Sequence, residues 1–433
     1  MSNDEKMNID ERRKYLRVVK PRYSKAGREE KGWLLDEMQA VTGLDRKTLI
    51  RLMNGRLERK PRRKERGKTY GPAVDGALRV IYESFDGLCA ERLTPNLVWM
   101  AKHLDQHDEL VAVPELLEQL DRISVSTVER RLVRIRQDQP RRPRHKPRGR
   151  NKLLQQIPML RLPWDLEEPG HFETDLVHHS GPSTSGEYAC TLQMVDVATG
   201  WSERWAVLGR SYLVMEDAFR GIFHRLPFPV RQIHPDNGGE FFNHHMLRFW
   251  GDLVQGVTLS RSRPFHKNDN PRVEQKNASL VRAYLGDDRI DSVAQTLALH
   301  RLYDKMWVYY NLFQPVMHLV EKEVIQQEGK PARVKRRYDD ACTPFDRLCK
   351  TDAILPQHRE QLAALREATN PRRLRQAIYD DIEQLFTLPG AASDHPENVH
   401  LTLAHNRQKG DDELVNFTFD RTKIKTSCSA TPG

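Results

Sequence analysis

The chain has 433 residues, which is too long for one hydrophobic core and predicts roughly two to four domains. Hydrophobic residues make up 38% of it, the mean hydropathy is −0.70, and no run of about 18 apolar residues occurs, so we expect neither a membrane span nor a secretory signal. The formal net charge of +10 favours a polyanionic partner, with nucleic acid ahead of a membrane surface.

The cysteine and histidine content gives no sign of a structural metal site. The five cysteines are odd in number, scattered and without a Cys-x-x-Cys pair, which argues for a reducing compartment and against disulfides or structural zinc. His103 and His107 have the i, i+4 spacing of metal ligands on a helix, but a pair of surface histidines is the commoner explanation. We therefore expect a cytoplasmic, DNA-associated protein.

The first predicted helical unit has the outline of a helix-turn-helix. Apolar residues at helical spacing begin at about Glu29, Thr42-Gly43-Leu44 forms a turn, and Asp45 is placed to cap a short helix that ends at Asn54-Gly55. A plain helical hairpin fits the same pattern. In the DNA-binding interpretation, the contacts are the outward cations of the second helix, Arg46, Lys47 and Arg51.

A second helical block, from about Ala73 to Gln137, ends with a similar outline. A helix over Val113–Leu120 and a turn over Asp121–Val125 precede Ser126, which with Glu129 makes a capping box for the last helix. We favour a second DNA-binding helix here, and its predicted contacts are Arg130, Arg131 and Arg134.

Two basic segments lie outside these helices. Residues 1–28 are charged and expected to be loosely ordered, and Arg56–Lys68 leads out of the first unit. Gln139–Lys152 is half Arg and Lys, has several prolines and no acid, and should be an extended linker. Because it joins candidate DNA-binding helices to the region that follows, we predict phosphate contacts from Arg142, Arg144, Lys146 and Arg148.

The next region alternates between strand and helix patterns. Three sequential strands with short connections predict an antiparallel meander, and the elements after it alternate helix, strand, helix, strand, helix. This is the order of the ribonuclease H-like fold, a mixed five-stranded sheet flanked by helices. The predicted elements are strands at His171–His179, Glu187–Thr199, Trp201–Leu208, Pro229–His234 and Val257–Ser260, with helices at Tyr212–Leu226, Asn243–Val254 and, from an Asn270 cap and Pro271, through Leu285.

Three acids in this region are expected to converge. Asp175 lies in the first strand, Asp236 follows the fourth strand 61 residues later, and Glu274 opens the last helix a further 38 residues on. In this topology the first and fourth strands are neighbours and the last helix crosses their ends. Asp236-Asn237-Gly238-Gly239 is also a common turn sequence, so only the combination of the three acids indicates a metal site.

Three carboxylates suit a pair of magnesium ions. Mg²⁺ requires hard oxygen ligands in an octahedron, and two ions roughly 3.5–4 Å apart stabilise both oxygens of an in-line phosphoryl displacement. We assign Asp175 as the bridging ligand, Asp236 to one ion and Glu274 to the other. Mn²⁺ is expected to substitute.

Other acids are rivals for this site. Glu173 shares a strand face with Asp175 at period two and could reach the same cavity. Asp196 precedes a turn and is better explained as a structural residue of an Asp-x-x-Thr motif, and Glu240 as support for the turn or the start of the next helix.

Four segments carry a resemblance to a known family: HFETD (171–175), VDVATG (195–200), HPDNGGEF (234–241) and RPFHKNDNPRVEQKN (263–277). Together they resemble the catalytic core of DDE transposases and integrases, the retroviral-integrase-like group. YNLFQP (310–315) and TPFDRL (343–348) also resemble segments of bacterial insertion-sequence transposases. The chain departs from the family pattern at Pro271, where glycine is common, and at Gln314, where arginine is common.

The resemblance implies a polynucleotidyl transferase that binds the ends of a mobile element, cuts a strand and joins the 3′-hydroxyl to target DNA. It implies double-stranded DNA and a homo-oligomer on that DNA as partners. Further DNA contacts are expected from residues beside Glu274, namely His266, Lys267, Asn268 and Asn277. A DNA-binding protein with an inactive core, or a nuclease of the same fold, remains an alternative.

The region after the core is less regular. Val316–Arg337 is charged and predicted to be largely helical, and Thr351–Thr387 predicts two helices separated at Asn370-Pro371. Val399–Leu403 and Glu413–Phe419 alternate like short strands of a small β module.

The predicted organisation is therefore a multidomain protein of α and α/β domains. Its parts are an N-terminal helix-turn-helix (1–70), a second helical DNA-binding domain (71–138), a basic linker (139–164), a ribonuclease H-like catalytic core (165–335) and a C-terminal helical and β region (336–433) with possible DNA-binding function.

Overall fold

The computed structural model describes residues 7–58, 70–138, 168–235, 241, 246, 249–250, 254, 256–260, 270–327, 330–392, 395–403 and 419. The contacts divide the chain into two compact units, Met1–Thr69 and Tyr70–Gly433. No helix in the described ranges is long and apolar enough to cross a membrane.

The described residues of the first unit form three helices: α1 (Ile9–Lys25), α2 (Arg28–Thr42) and α3 (Arg46–Asn54). The expectation of loose order is wrong for residues 9–25. Asn8 and Glu11 form a reciprocal capping box, with Asn8 Oδ1 accepting from the Glu11 N–H at 2.9 Å. Leu16 and Tyr23 of α1 are buried in the core that α2 and α3 complete, so this charged sequence is amphipathic.

The predicted turn between α2 and α3 is present. Gly43 has φ 67°, in the left-handed region that favours glycine, and Asp45 caps α3 by accepting from the Thr48 N–H at 3.1 Å. Trp33 lies on α2 but is 72% exposed and does not belong to the core. DNA binding by these helices stays a prediction.

The second unit has helices before, between and after the strands of its main sheet. They are α4 (Pro72–Ser84), α5 (Ala90–Leu93), α6 (Leu97–Gln106), α7 (Pro114–Arg122), α8 (Val125–Asp138), α9 (Tyr212–Phe223), α10 (Pro271–Lys276), α11 (Ala283–Leu285), α12 (Val293–Val308), α13 (Pro344–Leu348), α14 (Pro356–Glu367) and α15 (Pro371–Thr387). A π-helical stretch, Asn277–Arg282, joins α10 to α11, and residues 271–285 are called the site helix below. Another, Tyr309–Phe313, continues α12.

The strands are β1 (His171–His178), β2 (Ala189–Asp196), β3 (Ser202–Leu208), β4 (Gln232–Pro235), β5 (Thr258–Leu259), β6 (Leu319–Gln327) and β7 (Lys330–Tyr338). The first five form one sheet in the order β3-β2-β1-β4-β5. The β1–β2 and β2–β3 pairs are antiparallel, whereas β1–β4 and β4–β5 are parallel. The predicted mixed five-stranded sheet with flanking helices is confirmed and is consistent with the ribonuclease H-like fold.

Two residues that pack against the sheet have identities that their contacts explain, a glycine on α9 and an asparagine after α12. Gly221 of α9 lies against the Trp205 ring, where an added Cβ would come within 2.3 Å of the indole. Asn311 pairs with the backbone of Ser202 on β3, accepting from its N–H at 2.9 Å and donating to its carbonyl at 3.1 Å. The asparagine of the YNLFQP segment therefore attaches the end of α12 to the sheet.

The helices before the sheet pack against those after it. Asp86, just after α4, accepts hydrogen bonds from Arg375 Nε at 2.9 Å, Tyr379 OH at 3.0 Å and Tyr284 OH at 2.7 Å. Asn96 donates to the Ala341 carbonyl at 3.1 Å. Within the second unit, α4–α6 are thus bonded to the core and to α15.

Histidines of α6 belong to the same contact. His103 Nε2 lies 2.9 Å from the Thr369 carbonyl oxygen, and His107 Nε2 lies 3.0 Å from that of Glu367. His103 is buried, and burial away from water lowers its pKa. Both histidines therefore contact carbonyls at the end of α14, which agrees with the non-metal interpretation, although His103 is not a surface residue.

Three predictions of secondary structure need correction. Helix α8 begins at Val125, so Ser124 and not Ser126 precedes its first residue. The Ser124 carbonyl accepts from the Val128 N–H at 3.0 Å, and Ser124 Oγ lies 3.0 Å from Thr127 Oγ1. The segment predicted as helical at 316–337 is the antiparallel hairpin β6–β7. Val399–Thr402 is a 3₁₀ helix and not a strand.

The prediction of two helices at 351–387 is confirmed. Asn370 separates them and caps α15, since its side chain accepts from the N–H groups of Arg372 at 3.0 Å and Arg373 at 3.2 Å. The helix predicted over 243–254 and the strand predicted over 413–419 lie largely outside the described residues.

Candidate active site

Strand β1 lies between β2 and β4 and carries Asp175 near its middle. The antiparallel register places Asp175 opposite Gln193 of β2. On the other side, the parallel register pairs Thr174 with Pro235, the last residue of β4. Asp175 is partly buried. The backbone of Asp175 is paired with β2, and the residue before it is paired with β4, so the aspartate lies on a rigid strand, which suits a metal ligand.

The site helix is bonded directly to this aspartate. Asn277 Nδ2 donates to Asp175 Oδ2 at 2.6 Å, and the Leu176 N–H donates to Asp175 Oδ1 at 2.8 Å. Asn277 itself is buried. These bonds fix the rotamer of the Asp175 carboxylate, as outer partners of metal-ligating carboxylates do.

The site helix begins on a second strand carboxylate, that of Glu173. Glu173 Oε2 accepts from the backbone N–H groups of Arg272 at 2.7 Å and Val273 at 2.9 Å, and Glu173 Oε1 lies 3.6 Å from Arg272 Nη1. The carboxylate satisfies N–H groups that a helix start leaves unpaired and interacts favourably with the helix dipole. Burial raises the pKa of Glu173, against the lowering effect of these partners.

The expected side-chain cap at Asn270 is absent. Asn270 precedes the site helix, yet its side chain makes no capping hydrogen bond, and its buried Oδ1 has no hydrogen-bond partner within the part of the chain described. Glu173 takes this role because it reaches the helix start from β1. Its carboxylate is thus engaged as a cap, which leaves Asp175 as the acid of β1 better placed for a metal.

Glu274 lies between these two attachments. It follows the capped residues Arg272 and Val273 directly and precedes Asn277 by three residues, so Glu274 and Asn277 share a helix face. Glu274 is exposed. With a rise of about 1.5 Å per residue, its Cα lies only about 4.5 Å along the axis from that of Asn277, whose side chain contacts Asp175.

The third predicted acid lies outside the described residues, as does Glu240. Strand β4 is described through Pro235, the residue before Asp236. Next to it, His234 is buried with Nδ1 2.7 Å from Ser260 Oγ, and Gln232 Nε2 donates to the same oxygen at 2.8 Å. Among the described residues, no group of three His, Cys, Asp or Glu side chains is arranged to hold a metal.

Asp196 has the structural role predicted for it. Its carboxylate is fully buried and accepts from Gly170 N–H at 2.8 Å, Thr199 N–H at 2.8 Å and Thr199 Oγ1 at 2.6 Å. Burial raises the pKa of Asp196, and the three donors oppose that rise. Asp196 therefore connects the start of β1 to the β2–β3 turn.

The predicted DNA-binding cations differ in their surroundings. Arg46, Lys47 and Arg51 are exposed on α3, although Arg46 is also paired with Asp36. On α8, Arg130 and Arg134 are exposed, whereas Arg131 forms an ion pair with Asp75 and donates to the Tyr70 carbonyl at 2.9 Å. The outward direction expected for Arg131 is thus wrong. Arg142, Arg144, Lys146, Arg148, His266, Lys267 and Asn268 lie outside the described residues.

Sequence reasoning missed the capping role of Glu173 and the contact of Asn277 with Asp175. The sequence pattern indicates Glu173 only as a rival ligand and Asn277 only as a DNA contact. The signal for both is present in the spacing Glu-x-Asp on β1 and Glu-x-x-Asn on the site helix, which places each pair on one face.

Comparison with known proteins gives one relative with extensive overlap. No family model matches the chain. The uncharacterized protein y4rM of Sinorhizobium fredii (strain NBRC 101917 / NGR234) is 33% identical over 343 residues, which cover 79% of this chain and 96% of that protein. Among solved structures, the catalytic core domain of BIV integrase is similar at 19% identity over 34% of this chain and 86% of that chain, with a TM-score of 0.23. A score this low supports no further argument.

Proposed function

This chain belongs to the same family as the uncharacterized protein y4rM of Sinorhizobium fredii, and we propose that it is a DNA transposase. It binds the ends of its mobile element, hydrolyses a strand at each end and joins the new 3′-hydroxyl to target DNA. Both steps are in-line displacements at phosphorus in one metal-dependent site. The second step requires two ends together, so the active form is a homo-oligomer on double-stranded DNA, in the cytoplasm and at the nucleoid.

The observation that carries this proposal is the double attachment of the site helix to β1. Glu173 caps the helix start, and Asn277 bonds to the Asp175 carboxylate. Glu274 lies between these attachments. Asp175 and Glu274, which are 99 residues apart in sequence, are therefore carried by two neighbouring rigid elements. A preorganised metal site requires its ligands to be placed on rigid elements of this kind.

The position of β4 supports a third acid at the same place. β4 is the parallel neighbour of β1, and its last described residue, Pro235, is at the level of Thr174. Asp236 is covalently next to Pro235, and Asp175 next to Thr174. Because Asp236 and Asp175 each follow one residue of this pair, we propose Asp236 as the third carboxylate of the site.

The donor set fits two magnesium ions. Three carboxylates supply hard oxygen ligands, and the amide of Asn277 holds the Asp175 carboxylate in one orientation, as a second shell does. When bound, the ions polarise the phosphate and stabilise the attacking and leaving oxygens. Asp175, Asp236 and Glu274 would hold the ions. Glu173 fixes the start of the helix that carries Glu274, and Asn277 orients the Asp175 carboxylate.

Two helical surfaces are proposed to bind the element ends. Helix α3 contains three cations and no acid, and its exposed residues include Arg46, Lys47 and Arg51. On α8, Arg130 and Arg134 are the exposed cations nearest the helix start. Lysine and arginine supply the salt-dependent part of DNA affinity, and arginine also recognises guanine.

The test is the Asp236→Asn variant of the full chain, with a DNA duplex taken from the flanks of the gene. We expect it to lose magnesium-dependent cleavage and joining while binding the DNA as wild type does. The matched control is Asp288→Asn, an exposed acid beyond the site helix, which should remain active. Full joining by Asp236→Asn would contradict the site assignment. Cleavage without joining in wild type would favour a nuclease, and binding without cleavage would favour a DNA-binding protein.

A further inference from the structure

The hairpin β6–β7 is a two-stranded sheet separate from the main sheet. Each strand has nine residues, and the antiparallel register runs from Leu319 opposite Tyr338 to Gln327 opposite Lys330. A two-stranded hairpin by itself is at best marginally stable in water. The folded hairpin must therefore be stabilised either by attachment of its base to the core or by a partner that binds its surface.

The base of the hairpin is firmly attached. Val316 and Cys342 form a backbone bridge, with the Val316 N–H donating to the Cys342 carbonyl at 2.9 Å. The His318 N–H donates to Asp339 Oδ1 at 2.6 Å, and Arg347 donates to both oxygens of Asp339, at 2.5 and 3.0 Å. Asp339 is thus held by a bidentate pair, and the direction in which the hairpin leaves the core is fixed.

This base lies beside the candidate active site. An added Cβ at Gly200, in the β2–β3 turn, would lie 3.2 Å from His318 Nε2. This turn follows Asp196, which pairs in register with Phe172 of β1, three residues before Asp175. The hairpin therefore starts near the strand that carries Asp175.

The hairpin is strongly basic on one strand. β7 has five cations and no acid, whereas β6 has two acids and one lysine, which gives the two strands a net charge of +4. Lys335 and Arg337 are paired across the hairpin with Glu323 at 3.6 Å and Glu321 at 2.9 Å, all four being largely exposed. Exposed ion pairs of this kind contribute roughly 0–1 kcal/mol each.

Arg336 lies on the opposite face of β7 from these two ion pairs. In the strand register, Lys322 of β6 lies across from Arg336. β6 therefore has a like charge at this position, whereas an acid there would form a stabilising cross-strand pair. Val334 and Tyr338 share this face of β7 and are 37% and 47% exposed. The face thus combines the positive charge of Arg336 with exposed apolar and aromatic side chains, which suits a polyanion such as DNA.

We propose that the β6–β7 hairpin is a β-ribbon that binds the DNA duplex next to the candidate active site. This inference rests on the proposed function, in which the site acts on DNA. The major groove admits a two-stranded β-ribbon, and basic side chains on its edge reach the flanking phosphates. With its base fixed by Arg347, the ribbon holds the duplex in register with the site helix.

A protein partner is the competing occupant. A second copy of the chain could pair with an exposed edge of the hairpin. Charge disfavours a symmetric pairing through β7, because two copies would bring the same basic strand together. The experiment nevertheless measures this outcome directly.

The test compares two variants of the full chain that break the same two ion pairs. The first is Lys335→Ala/Arg336→Ala/Arg337→Ala, and the second, the matched control, is Glu321→Gln/Glu323→Gln. Affinity for a duplex from the gene's flanks is measured as a function of salt. We expect the first variant to bind roughly tenfold or more weakly, with the slope of log affinity against log salt reduced by about 0.9 for each phosphate that it no longer neutralises. The control should bind as tightly as wild type, or more tightly.

The outcomes separate this inference from the proposed function. If wild type binds and cleaves the duplex but the triple variant keeps the affinity and the salt slope of wild type, the ribbon inference is wrong and the proposed function stands. If both variants lose affinity to the same extent, the loss results from unfolding of the hairpin and not from lost phosphate contacts, and the inference is again wrong. If the triple variant changes only the mass of the DNA-free protein in solution, the partner is a second copy and the inference is overturned. If wild type neither binds nor cleaves DNA, the proposed function fails with it.

Discussion

Asn277 donates a hydrogen bond of 2.6 Å to the carboxylate of Asp175, from a position 102 residues later in the chain. This bond joins the site helix to the central strand of the sheet. It also occupies one oxygen of Asp175 with a neutral donor, which orients the carboxylate without cancelling its charge. A neutral amide is suited to this position, because a lysine there would compete with a cation for the same oxygen.

The first prediction concerns this contact. Asn277→Ala should reduce magnesium-dependent DNA cleavage by about 10–100-fold, the usual effect of removing an outer partner of a metal ligand. Because the ligands themselves remain, higher magnesium concentrations should restore part of the rate, and DNA binding should not change. The measurement is the rate as a function of magnesium concentration. An unchanged magnesium dependence would show that Asn277 does not position the ligand.

The second prediction concerns the cap on the site helix. Glu173→Ala should lower the free energy of unfolding by about 1–3 kcal/mol, because two backbone N–H groups lose their acceptor in a buried place. Glu173→Gln keeps an acceptor oxygen but not the charge, so it should cost less than Glu173→Ala. Denaturant unfolding of both variants measures this order. Equal losses, or none, would contradict the capping role.

The third prediction is a loss of stability in acid that depends on His179. Burial lowers the pKa of His179 to about 3, from an ordinary value of 6.5. The folded state therefore binds fewer protons than the unfolded state between these values. Stability contributed by this group is fully present above about pH 6.5 and falls by roughly 1.4 kcal/mol for each unit of acidification towards pH 3.

His179→Gln removes the titrating group from its contact with Thr191 Oγ1, 2.7 Å away. The free energy of unfolding of this variant, compared with wild type from pH 7 to pH 4.5, should show a shallower decline with falling pH. A parallel decline in both proteins would mean that His179 does not contribute to acid sensitivity.

The fourth prediction concerns Asp86, which joins the helices before the sheet to α15. Asp86→Ala should destabilise the second unit by about 2–4 kcal/mol, since a buried carboxylate with three donors is removed. Asp108→Ala is the matched control. Asp86 and Asp108 both have positive φ, 52° and 57°, so alanine carries the same backbone strain at either place, but Asp108 is exposed. Similar losses in the two variants would assign the effect to the backbone alone.

Much of the core could be predicted from the sequence because its signals are local. The strand patterns of β1–β3 and the length of the site helix depend on periodicity and on Pro271, which suits a helix start. The sheet order and the positions of Asp175 and Glu274 followed from the resemblance and the element order. The role of Asp196 could be assigned because two of its three donors belong to Thr199, three residues away.

The contacts that fix the site could not be predicted in this way. Glu173 meets Arg272 and Val273 only after folding brings residues 99 and 100 positions apart together, and a capping asparagine was already available at Asn270. The composition of residues 316–337 favours a helix, because Glu and Lys are common in helices, yet the structure has a hairpin at 319–338. Its strand pairing depends on residues across the turn, which residue type alone does not reveal.

The most direct test of the central claim is a strand-transfer assay with the full chain, a duplex from the gene's flanks and a separate target DNA. With magnesium, wild type and Asp288→Asn should join the 3′ ends of the duplex to the target, and Asp175→Asn and Glu274→Gln should not, although all four bind the duplex. Joining by Asp175→Asn at the wild-type rate, or joining by wild type without a divalent metal, would contradict the account.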